Sequence, residues 1–355
     1  MIINRREMLA GLLVAAAGCA GDDSAGNKSA SSDNQPESTP TPDEDGLPDP
    51  SEFDKIWSHS HHDDEGEAIE YYDGCVYSGS KDSTIISVDA SSGDLIWSQD
   101  IHNSFTRDLF ASGDIIYSAG RDGDVVAIEQ TDGSRVWEHR LHDDSVWEVH
   151  EHNGIIYSSG RDAKVIAADA SDGSYIWSHS GHHADGDPNS EMIRTINYSD
   201  GIVYSAGFDG KIIAADAKTG EIQSEYEFGH TVKSVVSGDG TLYFSPFARD
   251  VREDVISIEK LSWERRGIHS HHDQDATGHR GDHAGPEELK LRGGIIYSSG
   301  DDGKVVAAYK NDLNLFYSHQ LHDQSVRSIS AAENYQIFTT ARDGKVIKYG
   351  PTSNV

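Results

Sequence analysis

The chain has 355 residues, with 29 Lys and Arg against 61 Asp and Glu, for a formal net charge of −32. Duplex nucleic acid and anionic membrane surfaces both require positive patches, so neither is expected as a partner.

The N-terminus, "MIINRREMLAGLLVAAAGCAG", places a basic pair, Arg5 and Arg6, before an apolar run over residues 8–18. That run is too short to cross about 30 Å of hydrocarbon but has the make-up of an export signal. "RREML" resembles a twin-arginine signal, and "AAGC" (16–19) resembles a lipobox, which implies cleavage before Cys19 and a lipid on its sulfur. Ala16 departs from the Leu more common at that position. Residues 1–18 are read as the signal. Residues 19–52 are Ser, Thr, Asp, Gly and Pro with almost no large apolar side chain, the composition of a flexible tether. The mature protein is expected outside the cell, lipid-anchored to the outer face of the membrane. A lipid on Cys19 leaves Cys75 as a lone thiol, expected as a small buried hydrophobe in a strand.

From residue 53 to 355 one unit recurs. "GIIYSSGRDAKVIAADASDGSYIW" (154–177) is nearly repeated by "DIIYSAGRDGDVVAIEQTDGSRVW" (114–137) and "GIVYSAGFDGKIIAADAKTGEIQS" (201–224). Aligned on the aromatic before Ser or its equivalent, the units place Tyr77, Tyr117, Tyr157, Tyr204, Tyr243, Tyr297 and Phe338 at intervals of 40, 40, 47, 39, 54 and 41. Periods near 40 with several short strands are the mark of propeller blades. Two β-rich runs joined by "RDA" or "RDG", a third after "SDG", and a fourth of the "SVWEV" type that opens each unit predict four antiparallel strands per blade. Seven units make an all-β, seven-bladed propeller. After "GKVIKYG" (344–350) the last unit lacks an outer strand, whereas "KIWSHSHHD" (55–63) matches "YIWSHSGHH" (175–183). The N-terminal segment is therefore predicted to pair in the last blade and close the ring. Blades 5 and 6 are expected to decay, with Ser224 in a Trp position and "FARDVREDV" (247–255) enlarging a turn.

"AADASDGSYIW" (167–177) is similar to the signature of PQQ-like repeats, found in quinoprotein dehydrogenases and in outer-membrane assembly lipoproteins. "LHDDSVWEV…YSSGRDAKV" (141–165) resembles a WD40 unit. The resemblance covers residues 53–350 and implies a fold rather than an activity. Quinoprotein dehydrogenases have eight blades and a vicinal Cys pair, both missing here, so PQQ is not expected as a cofactor. The pervasive acidity resembles that of halophilic archaeal proteins, in which molar salt shortens the Debye length to roughly 3 Å and screens self-repulsion.

Three groups of residues stand out from the frame. In WD40 units a His bonds the turn Asp and a Ser, which implies structural pairs His142–Asp162 and His322–Asp343. Single histidines also stand at His102 and His230, and clusters occur at His59, His61 and His62, at His179, His182 and His183, and at His269, His271, His272, His279 and His283. Imidazoles two or three residues apart beside carboxylates suit Zn or Cu. Asp185, Asp187, Asn189 and Glu191 have part of a calcium-loop spacing without its full twelve-residue pattern. Finally, Arg107, Trp147, Arg194 and Lys233 stand seven residues before the hairpin glycine or its equivalent, and Arg327 holds a similar place in the last blade. If these face the channel, they form a basic mouth able to hold a small anion or an acidic peptide end. No nucleophile elbow, HExxH, phosphate loop or paired-carboxylate motif is present. The sequence therefore points to a non-catalytic, monomeric cell-surface scaffold with a protein partner. The alternative from another class is an extracellular metal-binding or enzymatic propeller using the His-rich loops.

Overall fold

The structure, a computed structural model, describes residues 47–182, 192–247, 254–260, 262–270, 272 and 286–352. Seven four-stranded antiparallel sheets are arranged as blades. In blade 3 the order from the axis outward is Val146–His152, Ile155–Gly160, Val165–Asp169 and Tyr175–His179. Blades 1 to 6 each use four consecutive strands. Blade 7 contains Val326–Ala331, Ile337–Ala341 and Lys345–Pro351, and its outermost strand is Phe53–Ser60 from the other end of the described chain. There Trp57 is paired with Lys348, Ser58 with Ile347 and His59 with Val346. The predicted clasp is therefore present. The departures from the repeat fall in blades 4 and 5 rather than 5 and 6: Ser224 lies on Ile222–Glu227, and the enlarged turn follows Thr241–Phe247. Cys75 is fully buried at the start of Cys75–Ser80. It is disulfide-bonded rather than the lone thiol expected.

The core lies between blades, where one sheet packs on the next. Tyr77, Ile85 and Trp97 of blade 1, for example, share a cluster with Leu109, Ile116 and Val126 of blade 2. The repeated motif can be decoded at these interfaces. Tyr117 and Trp137 of blade 2 both donate to the Ala170 carbonyl of blade 3, at 3.4 and 3.0 Å. Tyr157 and Trp177 do the same to Ala217 of blade 4, at 3.2 and 3.1 Å. Each ring thus buries its apolar body in the junction and satisfies its polar atom on the neighbour. Trp57 extends the pattern across the clasp, donating to Ala90 of blade 1 at 3.1 Å.

The same indoles dictate the outer turns. Gly133, Gly173 and Gly220 adopt positive φ, and a Cβ there would come within 2.5–2.9 Å of Trp97, Trp137 or Trp177 of the preceding blade. Both backbone and space therefore demand glycine. Where the preceding blade lacks the indole, the glycine is gone as well. Ser224 stands in the Trp position of blade 4, opposite Ala214, and the matching turn of blade 5 carries Trp263 at φ 59°. Trp263 stacks on Tyr226 with ring centroids 5.5 Å apart. Gly267 stands in the Trp position of blade 5, and the turn of blade 6 carries the buried Leu313 at φ 58°. Bulk has moved across the junction, and the left-handed backbone is kept because the filled volume outweighs the strain. We expect Ser224→Trp alone to destabilise the protein by about 2 kcal/mol through overpacking against Trp263. The double variant Ser224→Trp with Trp263→Gly should recover most of that loss in chemical denaturation, with a coupling energy above about 1 kcal/mol. Additive losses would refute the exchange.

Candidate functional site

The innermost strand of every blade is interrupted at one equivalent place. Pairing with the second strand skips a residue between Gly66 and Ala68, Thr106 and Asp108, Val146 and Glu148, Ile193 and Thr195, Val232 and Ser234, Pro286 and Glu288, and Val326 and Ser328. The skipped residues are Glu67, Arg107, Trp147, Arg194, Lys233, Glu287 and Arg327. A β-bulge re-aims the side chain it carries, and seven equivalent bulges around an axis aim seven side chains at one mouth. All five residues singled out in the sequence line a single cavity of about 220 Å³ there, together with Glu67. Sequence reasoning passed over Glu67 and Glu287, although both stand seven residues before a hairpin glycine, Gly74 and Gly294.

The mouth is an ion-pair network. Glu67 accepts from Arg107 at 3.0 Å and has Lys81 at 3.4 Å. Glu287 faces Arg194 at 2.8 Å, Lys233 at 2.7 Å and Arg327 at 3.4 Å. The Trp147 indole lies between two guanidiniums, 4.5 Å from Arg107 and 5.0 Å from Arg194. Such cation–π stacking holds both forks in place while leaving their N–H edges for acceptors.

One step deeper, the residue after each bulge laces its blade to the next. Asp108 accepts the backbone N–H of Val149 at 2.9 Å, Thr195 that of Val235 at 3.1 Å, Ser234 that of Leu289 at 3.1 Å and Glu288 that of Ile329 at 2.9 Å. Glu148 accepts from Ile196, and Ser328 from Ile69 at 3.2 Å across the clasp junction. Only Ala68 lacks the side chain to do so. Below this ring Lys290 lies 2.9 Å from Glu288. Burial alone would lower its ammonium, but Glu288, Glu70, Asp108 and Glu148 outweigh burial and hold it well above the ordinary range. Burial raises the carboxyls of Glu70 and Asp108 to about 7 and that of Glu148 to about 8. His150 of the same channel is pushed down to about 4 by burial and by Lys290.

The histidines divide into two kinds. His142 Nδ1 lies 2.8 Å from Asp162 and Nε2 2.9 Å from the Ser158 hydroxyl. His322 lies 3.0 Å from Asp343 and 2.9 Å from Thr339. His102, His182 and His272 make the same triad, with Asp122 and Ser118, Asp209 and Ser205, and Asp302 and Ser298. His62 reaches Ser78 at 3.0 Å and Asp82 at 3.5 Å. Three metal candidates, His62, His182 and His272, therefore stand in blade-closing triads with both ring nitrogens engaged by protein. The YSxG glycine makes room for this imidazole: a Cβ on Gly120 or Gly160 would meet His102 or His142 at 2.2 Å. His59 and His61 stack on each other, with centroids 5.2 Å apart, and His61 contacts the Gly93 carbonyl at 3.1 Å. His179 stacks on Trp177 and is pushed down to about 4 by burial. His269 ends the strand Arg265–His269. Cys19, Arg5, Arg6, His183, His271, His279, His283 and the acidic run 185–191 lie outside the described residues. Among the described residues no three His, Cys, Asp or Glu side chains converge as metal ligands would.

The two sets of acids imply opposite responses to pH. The Asp343 carboxyl, pushed up by burial but pulled down further by His322, sits at about 2. Its contribution is present above the unfolded value of about 3.9 and is lost as the pH falls through the folded value. The channel acids bind their protons more tightly when folded. Their contribution is complete below an unfolded value of about 4 and disappears as the pH rises through about 7 to 8. Denaturation at fixed salt should therefore show stability declining from about pH 5 to pH 8. Glu148→Gln, which keeps an acceptor for the Ile196 N–H, should flatten that decline and be the more stable protein at the upper end. Parallel profiles would refute neutral channel carboxyls.

A family model described as outer membrane protein assembly factor BamB matches residues 50–149 and 121–312. Among solved structures, the WD40 β-propeller domain of Doa1 superposes with a TM-score of 0.70 at 15% identity, with 85% of this chain and 97% of that chain covered. The computationally designed Ika8 protein gives a TM-score of 0.61 at 19% identity, over 83% of this chain and 99% of that one. Identities this low show the fold alone. No curated protein matches the sequence. The matched family model runs from the clasp strand into blade 6, more than half of the chain, and the protein belongs to the family described as outer membrane protein assembly factor BamB.

Proposed function

We propose that this chain is a non-catalytic binding and assembly scaffold, monomeric, exported and anchored at the outer face of the cell membrane. Its recognition surface is the face that carries the channel mouth. The observation that carries this reading is the convergence of Arg107, Arg194, Lys233 and Arg327 on one cavity in a chain of net charge −32. On so acidic a molecule, a basic mouth held by seven bulges is a preorganised place for an acidic group of a partner. The family description, an assembly factor, accords with a partner that is protein. No step of the proposal requires a cofactor.

Crosslinking on intact cells, followed by mass spectrometry, should identify a protein partner with the native chain. Arg107→Glu combined with Arg327→Glu should remove that partner while the folded protein still reaches the surface. A native chain without partners, or a partner indifferent to the mouth, would overturn the reading. The anchor has its own test. The sequence holds two cysteines, so an intrachain disulfide at Cys75 and a lipid on Cys19 exclude one another. Mass spectrometry of the membrane-bound protein reads which of the two it carries, and a lipid anchor requires a modified N-terminal Cys19. An unmodified Cys19 would sink the anchor.

A further inference from the structure

Glu287 comes from Pro286–Arg292, the innermost strand of blade 6, and its side chain is 5% exposed. Its two oxygens are taken separately, Oε1 by Lys233 of blade 5 and Oε2 by Arg194 of blade 4 and Arg327 of blade 7. Burial drives this carboxyl up, but Lys233, Arg194 and Arg327 outweigh burial and hold it well below the usual carboxylate range. The cations thus favour the charged form of the group. Four cations, Arg107, Arg194, Lys233 and Arg327, converge at the mouth on the carboxylates of Glu67 and Glu287, and Lys233 also has Asp301 at 3.6 Å. Three buried nitrogens, Arg107 Nε, Arg327 Nε and Trp147 Nε1, make no hydrogen bond among the described residues. Buried donors without acceptors are costly and usually mark a place where an acceptor belongs.

We propose that the mouth is a carboxylate-recognition site in which Glu287 is an intramolecular occupant, standing in for the acidic end of a partner peptide that competes with it. This rests on the scaffold reading above and names the chemistry that the scaffold recognises. Two features select a peptide carboxylate over an inorganic oxyanion. The occupant already held is a carboxylate whose two oxygens are each met by ammonium or guanidinium groups, a charge-assisted pairing that a second carboxylate can take over. The cavity of about 220 Å³, with Trp147 in its lining, admits the end of a chain rather than a folded domain. A tethered carboxylate competes at high effective concentration, so Glu287 sets the affinity of the site as well as its charge.

The full chain is titrated at fixed ionic strength with a fluorescent tetra-aspartate peptide bearing a free C-terminus, read by anisotropy. Neutral tetra-serine and inorganic phosphate serve as competitors. Glu287→Gln should tighten peptide binding about fivefold by removing the competitor. Arg327→Gln should weaken it about tenfold, and Arg107→Gln provides a second loss variant should the first fail to fold, which thermal melts report. Peptide binding that is unchanged or weaker in a folded Glu287→Gln protein overturns the proposal. So does phosphate competing as well as unlabelled tetra-aspartate. If the peptide fails while crosslinking still yields a partner sensitive to the mouth, this inference falls and the scaffold reading stands. If both fail, both fall.

Discussion

The pairing of Phe53–Ser60 with Lys345–Pro351 is the constraint on which the rest depends. A ring of sheets has no internal reason to close: each blade packs only on its neighbours, and an open arc would expose one blade face and an unpaired edge strand. Supplying the outer strand of blade 7 from the opposite end of the chain converts that arc into a ring. It also sets the Trp57 indole on Ala90 of blade 1, so the junction is sealed by the same contact that recurs between blades 1 and 2, 2 and 3, and 3 and 4. Ser328 adds a hydrogen bond to the Ile69 backbone on the channel side. Closure is thus made at both radii, by an indole outside and a hydroxyl inside.

Once the ring is closed, the junctions differ from one another only in how they fill the same volume. Most pair an indole with a glycine turn, whereas the blade 4–5 junction places the bulk in Trp263 and the blade 5–6 junction in Leu313. What looks like decay of the repeat is compensation across a junction. Close packing is conserved even where the motif is not, because a void between sheets forfeits contacts on both sides.

The channel follows from the same symmetry. Seven bulges bring seven otherwise distant side chains together, and charges that would be unremarkable on an open surface become a network. Three cations share Glu287 at the mouth, while the ammonium of Lys290 lies among carboxylates contributed by blades 1, 2, 3 and 6. In a medium that solvates ions poorly, this arrangement alternates sign along the axis, so that each buried charge has an opposite neighbour. The histidine triads serve a different end. They tie the connection entering a blade to its second strand and turn, and this gives His62, His182 and His272 a place in the frame.

The sequence by itself determined the blade count, the four-strand unit and the clasp, because all three are written in local periodicity and in the match between "KIWSHSHHD" and "YIWSHSGHH". It also placed Arg107, Trp147, Arg194, Lys233 and Arg327 at one mouth, since counting back from a hairpin turn is a local operation. The same count reaches Glu67 and Glu287, which a search for positive charge alone passes over. Only the tertiary structure decided that Glu287 takes three cations at once, that Trp263 stacks on Tyr226 two residues along the strand from Ser224, and that Lys290 sits within an acidic ring. Each of those facts joins residues of different blades, whose distance in space is set by ring geometry and leaves no trace in sequence spacing.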